Sequence, residues 1–326
     1  MIIKTLSNKK LQNFHLRPLV DDDRDAFSEM LYNSFNTWYR QRGLNDQYFR
    51  CPQEDMGIIY DIYQDMDPDL NIAAIEKNTG RLMGACFYHP REHHVSLGIM
   101  AVHPDFWKQK VASALYDHII NYTDAGGFAS LRIVQSACNV ESFSLYTRGG
   151  AFPRCSYHDM IFEVPSSGIS ASQINSEIEI GRVREATLED ISAMGQLEMQ
   201  VSGIIREQDY RYCLENKRGI WHVSVIEKAD GKGLEGFMIS CGHPSFNMLG
   251  PCVAETEEAA GALVLKELDF YRGRTPLFIV PTDKQKLVHL LYNLGAKNIE
   301  VHLCQVRGQF QEFRGVSMPT FLPETG

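Results

Sequence analysis

The stretch HPDFWKQKVASAL, His103 to Leu115, has the outline of a turn that opens a helix. Such a turn can do one piece of chemistry with its backbone alone. Successive N–H groups and the positive end of the helix together hold an anion such as a phosphate. Loops built for that task usually carry two or three glycines, and this one carries none. It offers charge instead, since Lys108 and Lys110 can bind phosphate as point charges. No proline lies between Asp105 and the helix, so every backbone donor there survives.

Metal chemistry is not expected. Eight cysteines are scattered through apolar stretches without a C-x-x-C pair, which reads as free thiols in a reducing compartment. His93 and His94 are the only adjacent histidines, and they read as part of a surface hairpin. The formal charge of -9 argues against nucleic acid as a partner without excluding one basic cleft. MIIKTLSNKK lacks the apolar core of a leader and no run approaches membrane-spanning length, so a cytoplasmic protein without a membrane partner is expected. The final LPETG spells a sortase signal, but lacks the apolar span and basic tail such a signal needs, and reads as coincidence or as an added, non-native remnant.

The elements that would position the loop occur twice. With 326 residues there is room for two domains, and the Ser- and Gly-rich stretch Val164 to Gly181 reads as the linker between them. FHLRPLVDDDRDAF before it and GRVREATLEDISAM after it each place an Arg (Arg17, Arg184) at a strand end. An Asp follows six residues later (Asp23, Asp190), suited to the first turn of a helix. ESFSLYTRGGAF and QKLVHLLYNLGAKN are both amphipathic helices ending at glycine. Three antiparallel strands precede each, the third running into a helix. The expectation is an α+β chain of two similar domains, residues 1–163 and 182–326, joined by 164–181. Each has a mixed, mostly antiparallel sheet flanked by helices.

This order resembles the GNAT (GCN5-related N-acetyltransferase) fold in its tandem form. In the first half the resemblance reaches single residues. GIMAVHPDFWKQKVASALYDHI is similar to the family's strand four, pyrophosphate loop and following helix. Asn139, Ser142, Leu145, Tyr146 and Gly150 fit N-x-x-S-x-x-L-Y-x-x-x-G. Against the family's Q/R-x-x-G-x-G/A, Trp107 and Lys110 are departures and Ala112 conforms.

The resemblance implies acetyl-CoA as acyl donor and a primary amine, most simply of a small molecule, as acceptor. Backbone groups of Ile99, Met100, Ala101 and Val102 would meet the pantetheine. Trp107, Lys108, Gln109, Lys110, Val111, Ala112 and Ser113 would meet the pyrophosphate, and Asn139 and Ser142 the cofactor arm. Tyr146 would be the general acid for the departing thiolate. The EHH turn leads into strand four, so Glu92 or His94 is the candidate base. Phe35, Trp38, Tyr39, Tyr48 and Phe49 fall on the acceptor side, as pocket wall or as ordinary packing. The second half resembles the family in outline only. Its loop carries Glu255, Glu257 and Glu258, and in its last helix Leu291 rather than Tyr292 takes the tyrosine position. It is expected to be non-catalytic, with a C-terminal strap. The chain would act as a monomer or homodimer. The alternative is a non-catalytic acyl-CoA-binding or protein-interaction module with a degenerate loop.

Overall fold

The computed structural model describes residues 13–169 and 178–326. MIIKTLSNKK and the middle of the expected linker lie outside the described residues. The chain folds as two compact units. One holds the residues up to Gln64 with Asp69–Phe87 and Met100–His118; the other holds Asp65–Pro68, Tyr88–Ile99 and everything from Ile119 on.

In the first unit β1 (Phe14–Arg17), β2 (Asn71–Glu76) and the start of β3 (Leu82–Pro90) pair antiparallel, with Ile72 opposite Cys86. Helix α1 (Arg24–Gln41) buries Phe27, Met30, Leu31 and Ser34, the spacing of one helical face. Phe87 on β3 receives it. The Phe27 ring meets Phe87 edge-on at 5.4 Å, and Tyr63 of α2 (Gly57–Met66) lies 5.1 Å away.

The second unit begins with the first part of β4 (His94–Val102) and continues through β5 (Ser130–Ser136), α4 (Val140–Arg148) and β6 (Phe152–Ile161). The second half of the chain follows as β7 (Val183–Glu185), α5 (Ile191–Ser202), α6 (Glu207–Glu215), β8 (Trp221–Glu227), β9 (Leu234–His243) and β10 (Phe246–Ala254). Then come α7 (Glu257–Leu268), β11 (Leu277–Pro281), α8 (Gln285–Leu294), β12 (Lys297–Gly308) and β13 (Val316–Met318). Within this unit the strand order is β4-β5-β12-β6-β11-β10-β9-β8-β7, with β13 on β10. Strand β12 is thus inserted between β5 and β6, and β6 runs between β12 and β11. Cys304 of β12 faces Val134 on one side and Cys155 on the other. The two sequence halves do not merely stand beside each other; they interlock through β5 and β6 of the first and β11 and β12 of the second. Burial pattern alone could not show this, because a strand buried on both edges looks the same whichever half supplies its neighbours.

The repeated Arg and Asp prove to be a repeated ion pair. Arg17 reaches Asp23 at 2.9 Å and Arg184 reaches Asp190 at 2.8 Å. Each carboxylate also accepts a backbone N–H at the helix entrance, from Val20 at 2.9 Å and Thr187 at 2.8 Å. The six-residue spacing thus ties a strand end to the start of a helix. Arg184, then the Thr187 backbone, hold Asp190 below the usual carboxylate range against partial burial.

Candidate functional site

The first requirement of the loop is a strand that ends where an anion can approach. β4 pairs parallel with β5 over His94–Ser96 and Ser130–Arg132 only, although both strands run on. The two strands therefore part after Ser96. Among the described residues no other strand pairs into that stretch of β4 from the β5 side. Ile99, Met100 and Val102 are half-buried and Ala101 is buried.

The loop itself lies in the first unit. Pro104–Phe106 make a short 3₁₀ turn capped by His103, whose Nδ1 accepts the Asp105 N–H at 3.2 Å. Trp107 sits where the family pattern has Gln or Arg, and its indole N–H donates to the Val102 carbonyl at 2.7 Å. The loop end is thereby tied to the strand end. Lys108 has φ +64° and Lys110 φ +65°, both in the left-handed region that glycine occupies freely. A residue with a Cβ costs about 1–2 kcal/mol there. Lys110 thus keeps the backbone shape of the glycine it replaces and adds a charge. Lys108, Gln109 and Lys110 are exposed, and α3 (Val111–Ala125) starts at the next residue. The first-turn amides of Val111, Ala112 and Ser113 have no intrahelical acceptor, as at any helix start.

One residue of this arrangement escaped the sequence reading. A Cβ on Gly84 would come within 2.8 Å of the Val111 side chain and 3.0 Å of the Ala101 carbonyl. The bare backbone of β3 is what lets the start of α3 sit against the strand. The signal was a glycine inside the apolar strand LMGACFY, which marks a close approach.

The remaining predicted residues lie in the second unit. Asn139 caps α4, its Oδ1 accepting the Ser142 N–H at 3.0 Å, so the N-x-x-S pair is first of all a helix cap. Tyr146 lies within α4 and is buried. Glu92 is exposed. His94 departs from the expectation of a solvated hairpin and of a base, because its ring is fully buried. Its Nε2–H donates to the Thr325 carbonyl at 3.0 Å. Burial, then the Arg132 charge, push its pKa well below the ordinary value. The neighbouring Arg91 is buried too, bound to Asp67 at 2.8 Å and Asp209 at 2.7 Å. The turn is thus anchored at both ends, and only Glu92 and His93 reach water. The aromatics of the first unit settle toward packing: Tyr39 stacks on Tyr48 at 4.1 Å and Phe35 meets Phe49 at 5.2 Å.

The counterpart in the second half is built differently. β10 pairs parallel with β11 only at Met248 and Leu249. Beyond them β13 pairs antiparallel with β10, Met318 opposite Cys252 and Val316 opposite Ala254, and also packs against β11. Here the chain's own strap occupies the place where the strands part. At the start of α7 one amide is capped and the two glutamates are engaged by α8. Thr256 accepts the Ala259 N–H at 3.1 Å, Glu257 accepts the Leu287 N–H at 2.9 Å, and Glu258 pairs with Lys286 at 2.7 Å. Tyr292 is exposed, and Leu291 is fully buried.

Within the first unit the end of β4, the left-handed loop and the start of α3 follow one another directly. Residues 29–151, from within α1 to just past α4, match the model of the acetyltransferase (GNAT) family. That segment belongs to the GNAT family. No curated protein matches the sequence significantly. Among solved structures, a candidate acetyltransferase from Pyrococcus horikoshii has TM-score 0.71 at 13% identity, over 96% of this chain and 95% of that one. A GCN5-related N-acetyltransferase from Sphaerobacter thermophilus has TM-score 0.59 at 14% identity, over 92% and 97%. A tandem GNAT protein from the clavulanic acid biosynthesis pathway has TM-score 0.58 at 14% identity, over 90% and 98%. At these identities the likeness concerns the fold, which is the tandem GNAT fold along nearly the whole chain. GNAT enzymes take their acyl group from acetyl-CoA. No helix among the described residues is long and apolar enough to cross a membrane.

Proposed function

We propose that the chain is an N-acetyltransferase whose first half binds acetyl-CoA and whose second half does not. The observation that carries this reading is the pair of left-handed lysines, Lys108 and Lys110, following strand β4. A loop that had lost its anion would have no reason to hold two side-chain-bearing residues in a conformation that costs free energy. Such strain persists where the geometry is used. The N–H groups of Lys108 and of Lys110 to Ser113, with the two ammonium groups, would cradle the pyrophosphate, while the Gln109 N–H is held by the Phe106 carbonyl. Backbone groups of Ile99 to Val102 would hold the pantetheine and the thioester oxygen, and Asn139 and Ser142 the cofactor arm.

The acceptor is a primary amine, of a small molecule in the simplest case. Its neutral nitrogen attacks the thioester carbonyl, the C–S bond breaks, the thiolate takes the proton of Tyr146, and the proton that the acylated nitrogen gives up restores the Tyr146 hydroxyl. His94 is withdrawn as base by its burial, so the ammonium proton leaves through Glu92, by way of water. The division into halves at residues 164–181, a cytoplasmic setting and a monomer or homodimer complete the proposal.

Calorimetric titration of the full chain with acetyl-CoA, followed by assay over a panel of amines, tests it. Binding at one site with turnover of at least one amine is expected. No binding at millimolar acetyl-CoA would sink it, and binding without turnover on any amine would favour an acyl-CoA sensor.

A further inference from the structure

The strands through which the two halves interlock carry three side chains that neither the acetyl-transfer reading nor the family uses. On β6, Asp159 lies directly opposite Glu300 of β12, and His302 is two residues further along β12. One ligand-capable atom of each lies within 4.8 Å of the others. Like charges facing each other across a sheet are destabilising, and here Glu300 is half-buried. Asp159 is 0% exposed, and neither of its oxygens has a hydrogen-bond partner among the described residues. His302 is 4% exposed, and its Nδ1 also lacks one. That nitrogen stands 3.6 Å from Asp159 Oδ2, too far for a hydrogen bond.

The spacing has a simple chemical reading. Two ligands bound tetrahedrally to zinc at about 2.0–2.2 Å lie roughly 3.4 Å from one another. A separation of 3.6 Å, with two buried polar groups turned toward a common point, is close to that value. Glu300 is held by Ser136, whose hydroxyl donates to Oε1, the kind of outer support that orients a metal-binding carboxylate. The ring of Phe321 packs edge-on at 4.8 Å against His302 and helps to cover it. One imidazole and two carboxylates suit a borderline divalent cation better than calcium or magnesium, which prefer an all-oxygen shell.

We propose that Asp159, Glu300 and His302 bind one zinc ion, which staples β6 to β12 where the halves interlock. The sequence gives no motif for it, because the ligands come from strands far apart in the chain. Its role is structural, so it is independent of the acetyl-transfer reading.

The test uses the full chain stripped with chelator and titrated with zinc chloride, read by calorimetry and by thermal melting. One zinc per chain and a clear rise in Tm are expected. Asp159→Asn and His302→Ala should each weaken zinc binding by about 100-fold or more, at or beyond the upper end of what loss of an outer-shell support costs. Cobalt substituted at the site should show the visible absorption bands of low-coordinate Co(II), absent in His302→Ala. Both variants can be checked for folding by circular dichroism and by a cooperative thermal transition in the absence of zinc. No zinc bound by the wild type, or equal binding by Asp159→Asn and wild type, would overturn the proposal. Asp159 would then be a buried carboxylic acid sharing its proton with Glu300.

Discussion

The first half of this chain lets β4 leave β5 after Ser96, while the second half lets β10 leave β11 after Leu249 and then fills the opening with β13. The helix starts beyond the two strands differ in the same sense. The first presents Lys108 and Lys110 on a strained backbone, whereas at the second Thr256 caps Ala259 and Glu257 and Glu258 bind Leu287 and Lys286 of α8. The repeated fold thus has one helix start preceded by two exposed lysines and one where Thr256 caps Ala259 and two glutamates are engaged by α8. The unfilled helix start must be satisfied by side chains, and the opened sheet by another strand.

This comparison can be broken most sharply at Lys110. Lys110→Glu places a carboxylate where the pyrophosphate is expected and should lower acetyl-CoA affinity by about 100-fold, near 3 kcal/mol. Glu257→Lys in the second half should create no second site. Calorimetry measures both; an unchanged affinity in Lys110→Glu would remove the contrast. Tyr146→Phe should lower kcat by about 100-fold, the lower end for loss of a general acid, with little change in acetyl-CoA affinity. An unchanged rate would show that another group protonates the thiolate. On the filled side, Met318→Asp puts a charge on a fully buried strap residue and should cost about 3 kcal/mol in urea unfolding. It should not confer cofactor binding there.

A smaller effect separates shape from charge in the loop. Replacing Lys108 and Lys110 together with glycine relieves both left-handed residues, but it also frees the unfolded chain. The expected stability change is within about 1 kcal/mol, while acetyl-CoA affinity falls about 10-fold because two charges are lost. Equal affinity would mean that the backbone alone binds the anion. The smallest effect concerns the repeated ion pair. Asp190 is held below its unfolded pKa, so its contribution is complete above about pH 4 and fades as pH falls further. Tm followed from pH 6 to pH 3 should drop less steeply in Asp190→Asn than in wild type.

Much of this contrast was legible in the sequence. The Arg and Asp repeat, the N-x-x-S helix start and the acidic second loop all depend on neighbours close in the chain, where residue type and spacing carry the physics. Three things were not legible. The left-handed φ of Lys108 and Lys110 is invisible, because lysine gives no sign of an unusual backbone. The burial of His94 depends on Thr325, supplied from the far end of the chain. The insertion of β12 between β5 and β6 and the placing of β13 beside β10 are choices of partner between strands of similar character. The C-terminal strap was anticipated as docked; the slot it fills was not.

The central claim is that one half of a repeated fold kept its cofactor site and the other filled it. Titration of the full chain with acetyl-CoA, repeated on Lys110→Glu, tests it most directly. One acetyl-CoA per wild-type chain and none at the same concentrations in Lys110→Glu is the predicted result. Two per chain, or undiminished binding in Lys110→Glu, would contradict it.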